Sequence, residues 1–132
     1  MRTMILVILT LITLFPQEEK KKVVSTINLL ASIAQEIGKE HVEATALADP
    51  TQDPHYLTAR PSFKKLASEA DLFIEVGLGL DLWANDVAVG SGNKNIQMGN
   101  PGRLVASKNI KTGELPETLS REWGLIHPQG NP

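Results

Sequence analysis

The chain has 132 residues, with 13 Lys+Arg against 15 Asp+Glu and a formal net charge of −2. That length suits one domain, and the charge balance offers no cationic surplus to displace counterions from phosphates, so no nucleic-acid partner is expected. Hydrophobic residues make up 42% and cysteine is absent, which favours a packed core over disorder and excludes disulfides, thiolate metal sites and cysteine nucleophiles.

Arg2 precedes an apolar run from Met4 to Phe15, and Pro16 with the charged stretch Glu18 to Lys22 follows it. A helix rising about 1.5 Å per residue over so short a run does not cross a hydrocarbon core ~30 Å thick. A positive start, a short apolar segment and a polar break form the layout of a secretory signal. Residues 1–20 are therefore assigned to an apolar signal-like helix, and export to an extracytoplasmic space is expected. No small-x-small pair precedes Glu18, so an uncleaved N-terminal anchor is the alternative.

Val23 to Ile27 is short and β-branched and reads as a strand. Leu29, Leu30, Ile33, Ala34 and Ile37 then recur on one helical face, with Asn28 as N-cap and Gly38 as the C-terminal stop. Val42 to Leu47 returns to strand, and a loop rich in Asp, Pro and Thr runs from Ala48 to Pro61. Ser62 opens a helix carrying Phe63, Leu66 and Ala67; Asp71 to Val76 is a third strand ended by Gly77; Leu82 to Val89 is a short helix. The tail from Ser91 to Pro132, dominated by Gly, Asn, Pro and brief apolar pairs, is left without a regular element. Alternating strands and helices predict an α/β fold, a parallel β-sheet flanked by helices, over 21–132.

Chemistry-bearing residues are few. The three histidines, His41, His55 and His127, form no i, i+4 pair, and no glycine-rich phosphate loop or hydrolase elbow is present. A metal-dependent hydrolase would need a dense His and Asp set with an open coordination position, so an enzyme is not expected. His41 reads as a surface residue after a Gly-Lys-Glu turn. His55 lies in Gln52-Asp53-Pro54-His55-Tyr56, in the loop after the second strand. In parallel α/β sheets ligands bind beyond the carboxyl ends of the strands, and a neutral imidazole there suits a divalent metal. Asp53 or a loop carbonyl would hold its other ring nitrogen. Tyr56, Trp83 and Trp123 read as core or surface aromatics.

Ile37-Gly38, His41-Val42-Glu43, Asp53-Pro54-His55, Pro61-Ser62, Ala70-Asp71-Leu72 and Gly77-Leu78-Gly79-Leu80 occur in an order and spacing that resembles the N-terminal lobe of the periplasmic metal-binding proteins of zinc and manganese ABC importers. The Asp-Pro-His to Pro-Ser spacing is the specific part. The tail from His127 to Pro132 looks like the segment leading into a second ligand histidine in that family. The resemblance implies that residues 21–132 are the N-terminal lobe of a longer, two-lobed, monomeric protein, with further ligands supplied from outside this stretch. It implies capture of Zn²⁺, with Mn²⁺ as the alternative, for delivery to an ABC permease. His55 would be a ligand, and His127 a second candidate ligand or a loop-packing residue. Thr58 stands where many members carry Glu, which would tune the site differently. An adhesin-type surface protein on the same scaffold is the alternative function.

Overall fold

A computed structural model describes residues 19–113. The expected signal-like helix, Trp123 and His127 lie outside the described residues. Four strands, β1 (Lys21–Ser25), β2 (Val42–Ala46), β3 (Leu72–Glu75) and β4 (Arg103–Val105), form one sheet in the order β2-β1-β3-β4. All three pairings are parallel. The helices α1 (Asn28–Gly38), α2 (Pro61–Ser68) and α3 (Trp83–Ser91) make the crossovers between successive strands. The expected parallel α/β architecture is what the chain adopts.

The direction of each crossover decides which face a helix covers. Right-handed connections carry α1 over one face as the chain steps from β1 to β2. The steps to β3 and β4 run the other way and put α2 and α3 together on the opposite face, where they pack on each other. Side chains alternate across each strand, so Val24 and Phe73 point toward α2 and α3. There they join Phe63, Ala67, Trp83, Ala84, Val87, Ala88 and Ile96 in the core. On the α1 face, Leu72, Ile74 and Leu104 instead border an open apolar groove of about 400 Å³ together with Leu30, Ile33 and Ile37.

Several boundaries differ from the sequence expectation, each for a physical reason. β1 starts two residues early because Lys21 and Lys22 pair with Val42 and Glu43 and are clasped from β3's side by Asp71, which accepts from the Lys22 amide at 2.9 Å. Thr26 and Ile27 leave the strand, and Ile27, not Asn28, is the N-cap of α1, with no side-chain cap bond. Gly38 is the last helical residue, with φ of −84°, and the positive φ of 47° falls on Lys39. What Gly38 supplies is close approach, since a Cβ there would meet the Val42 side chain at 2.5 Å. Pro61, rather than Ser62, opens α2, the position where proline's missing N–H is harmless. α1's apolar stripe is not buried as its period suggested: Ile37 is 79% exposed and Leu29 64%, and Ala31 is its one buried residue.

The largest departure is β4, which the tail was not expected to contain. It survives on two side-chain devices. Arg103 donates from Nη2 to Glu75 at 2.6 Å and lies over the Phe73 ring at 5.1 Å, and both charged side chains are buried. The asparagines before it are not idle loop residues. Asn93 donates to the Ala67 and Ala70 carbonyls at the end of α2, and Asn95 donates to the Asp71 carbonyl. They supply partners to carbonyls that a helix end and a strand start leave open.

Two measurements test this layout. Phe73 is fully buried, so Phe73→Ala costs about 3–5 kcal/mol in denaturant unfolding, whereas Ile37→Ala stays within about 0.5 kcal/mol. The Asp71 carboxyl is held below its ordinary value of 3.8, chiefly by the Lys22 amide; burial opposes this, and the Lys21 ammonium adds a further lowering. A depressed carboxyl contributes stability above its unfolded pKa and loses it as pH falls through the folded value. Asp71→Asn is therefore expected to lower stability at neutral pH and to flatten the loss of stability below about pH 4, read from thermal midpoints across pH.

Candidate functional site

The loops that follow β1, β2 and β3 leave the carboxyl edge of the sheet, and the one after β2 carries His55. Asp53 starts its turn. The Asp53 carboxylate accepts from the His55 amide at 2.9 Å, and the Tyr56 amide donates to the Asp53 carbonyl at 3.3 Å. The short helical turn Pro54–Tyr56 follows directly, with Pro54 pre-set for its first position.

The same carboxylate oxygen, Asp53 Oδ1, lies 2.9 Å from His55 Nδ1. In the neutral ring this pairing assigns the proton to Nδ1 and the lone pair to Nε2. Of the two partners that the sequence left open for the ring, the carboxylate is the one observed. The Asp53 carboxyl is held below the usual 3.8 by the His55 amide first and the His55 ring second, so it stays ionised and keeps accepting at neutral pH. The imidazole is a quarter exposed and its Asp53 partner half exposed.

Trp83 bonds this loop to the core, and the loop's own Leu57 and Ala59 pack against that core. Trp83, at the start of α3, donates its indole N–H to the Pro54 carbonyl at 2.7 Å and packs on Phe63 with ring centroids 5.6 Å apart. Two residues earlier, the buried Asp81 accepts from the Thr26 hydroxyl at 2.5 Å, the Val76 amide at 2.7 Å and the Gly77 amide at 3.0 Å. Gly77, Leu78 and Gly79 all have positive φ, and a Cβ at Gly77 would meet Ser107 and Val105 within 2.7 Å; glycine is required there.

Of the residues read as functional from the sequence, His55 is placed at the carboxyl edge, and His127 lies outside the described residues. His41 is solvated, its side chain 68% exposed beside Glu40. Thr58 is exposed and brings no charge to the loop. Tyr56 is 77% exposed, with its ring 6.3 Å from that of His55. Among the described residues, no three His, Cys, Asp or Glu side chains gather closely enough to hold a metal ion. Sequence reasoning missed the roles of Asp81 and Trp83. A detectable signal existed for the second, because a buried indole N–H needs an acceptor.

The described residues thus form an open parallel α/β lobe with one carboxylate-tethered imidazole at its carboxyl edge. The family described as zinc-uptake complex component A, periplasmic, matches residues 23–123, and the chain belongs to that family. It is 32% identical over 98 residues to the manganese-binding lipoprotein MntA of Bacillus subtilis, covering 74% of this chain and 32% of that protein. It is 34% identical over 67 residues to the manganese ABC transporter substrate-binding lipoprotein PsaA of Streptococcus pneumoniae, covering 51% of this chain and 22% of that protein. The periplasmic zinc-binding protein TroA of Treponema pallidum superposes with a TM-score of 0.54 at 28% identity, covering 67% of this chain and 29% of that one. The chain thus spans about a third or less of the matched relatives' length.

The Asp53–His55 pairing has a direct spectroscopic consequence. In the metal-free protein the Nδ1–H tautomer of His55 should predominate, and Asp53→Ala should shift the ring toward the Nε2–H form that is usual in water. Nitrogen-15 shifts of the imidazole read the ratio, and an unchanged ratio would remove the carboxylate from the site.

Proposed function

We propose that this chain is the N-terminal lobe of an extracytoplasmic solute-binding protein that captures Zn²⁺ and delivers it to an ABC permease without covalent chemistry. The observation that carries the reading is His55 itself. It stands on the loop after β2, at the edge where parallel α/β sheets bind ligands, with Nδ1 engaged by Asp53 in the arrangement that sets the tautomer of metal-ligating histidines. Membership of a zinc-uptake family supports the same reading. His55 Nε2 would bind the ion at about 2.0–2.1 Å. His127 is the second candidate ligand, and the remaining positions would be filled from elsewhere in a two-lobed, monomeric protein. The apolar run from Met4 to Phe15 would direct export or anchor the protein.

The choice of zinc follows from the donor, since imidazole nitrogen suits zinc better than the carboxylates and carbonyls that suit manganese. A second reading, Mn²⁺, is favoured by both curated relatives, which are named for manganese. Competition between the two ions, followed calorimetrically on the protein carrying both lobes, tests the zinc reading, with the general preference of N and O sites for zinc over manganese as the baseline. Zinc should bind more tightly than manganese, His55→Ala should abolish specific binding, and Asp53→Ala should weaken it about 10–100-fold. Preferential Mn²⁺ binding would overturn the zinc assignment, and wild-type affinity in His55→Ala would overturn the ligand assignment.

A further inference from the structure

The turn that presents His55 is short of internal support. Pro54 has no N–H to donate, and the bonds within the turn all converge on Asp53, through its carboxylate and its carbonyl. These local bonds set how the ring is oriented on the turn. They do not set where the turn sits above the sheet.

Contacts with the core do that: the Pro54 carbonyl accepts a 2.7 Å bond from Trp83, and Leu57, just after the turn, packs against the core. Trp83 is 6% exposed and its neighbour Phe63 7%, so the donor is held by a packed aromatic pair rather than by a mobile surface side chain. Its backbone is held as well, because α3 begins two residues after Asp81, the acceptor for Thr26, Val76 and Gly77. A continuous path of bonds therefore runs from the ends of β1 and β3, through Asp81 and the first turn of α3, to the indole and the His55 turn.

We propose that Trp83 is a positioning residue for the metal site: its indole N–H fixes the height and tilt of the His55 turn, so metal affinity depends on a side chain that does not touch the metal. The proposal rests on the reading of His55 as a ligand. Groups that hold a ligand in place without binding the metal typically govern affinity by about 10–100-fold. Trp83 meets the geometric requirement through backbone rather than through the imidazole.

The test is Trp83→Phe, which keeps an aromatic ring against Phe63 and deletes the donor together with part of the buried indole. Zinc titrations on the protein carrying both lobes compare wild type, Trp83→Phe and His55→Ala, with circular dichroism to verify folding. In parallel, nitrogen-15 relaxation of the amides of residues 55–57 is measured on the metal-free forms. The expected result is a folded Trp83→Phe protein with zinc affinity lowered about 10-fold or more and with increased motion confined to the turn. Wild-type zinc affinity in Trp83→Phe, alongside lost affinity in His55→Ala, would overturn the positioning role and leave the ligand reading standing. Undiminished affinity in His55→Ala would overturn the ligand reading and this proposal with it. A Trp83→Phe protein that loses affinity with no change in the motion of the turn would also overturn it, because the loss would then come from elsewhere.

Discussion

Asp81 carries a carboxylate that is only 3% exposed, and a carboxylate withdrawn from water is tolerable only when donors surround it. Three do: the Thr26 hydroxyl just beyond β1 and the Val76 and Gly77 amides just beyond β3. Neither β1 nor β3 can slip or splay at its carboxyl end without stripping this group of partners. The three consecutive residues with positive φ at Gly77, Leu78 and Gly79 follow from the same demand, because the chain must turn back tightly to aim both amides at Asp81. Leu78 bears the conformational cost, about 1–2 kcal/mol for a residue with a Cβ. The start of α3, and with it Trp83, is set by the place where Asp81 must stand.

The two faces of the sheet divide structural and functional labour unequally. The face under α2 and α3 holds the aromatic core and the buried Arg103–Glu75 pair. Removing one partner of such a pair leaves an uncompensated buried charge, at a cost of about 3–5 kcal/mol, in a strand of only three residues. The opposite face has α1 over β1 and β2, while Leu72, Ile74, Leu104 and Ala106 border an apolar groove. The carboxyl edge that carries His55 is tied to the packed face through Trp83 and Phe63.

The sheet was legible because each parallel strand reads as a compact apolar run and each crossover as a helical stripe, and both signals are local. Leu72 to Glu75 and the Trp83 helix fell close to where the pattern put them. What failed was non-local. β4 depends on Arg103 finding Glu75, 28 residues away, and nothing in Arg103-Leu104-Val105 announces that. The α1 stripe gives one apolar face, but a helix period states only which side is apolar and not how much of it the sheet covers, and Ile37 and Leu29 stay exposed. Capping residues misled in the usual way: Asn28 and Gly38 match preferred cap types, but Ile27 and Lys39 take the cap geometry. At the site, the Asp-Pro-His string disclosed the imidazole and offered its carboxylate partner, since both lie within two residues. Asp81 and Trp83 act across 55 and 29 residues, so although an indole signals that it needs an acceptor, the partner of each lies beyond any window along the chain.

His55 is thus governed by two constraints of different range. Its tautomer is a local property, written into an aspartate two positions upstream and kept by a carboxyl that its own bonds hold ionised. Its position is a global property, inherited from the sheet through Asp81 and Trp83. A locally set tautomer survives loop motion, because Asp53 and His55 travel together. A globally set position does not, because it exists only while the turn is anchored to the core. For a divalent ion, which demands a nitrogen lone pair at a defined distance, both conditions must hold at once. The local pair leaves Nε2 as the ring's lone-pair nitrogen, and on the proposed reading the long-range anchor would place that nitrogen where other ligands could meet it.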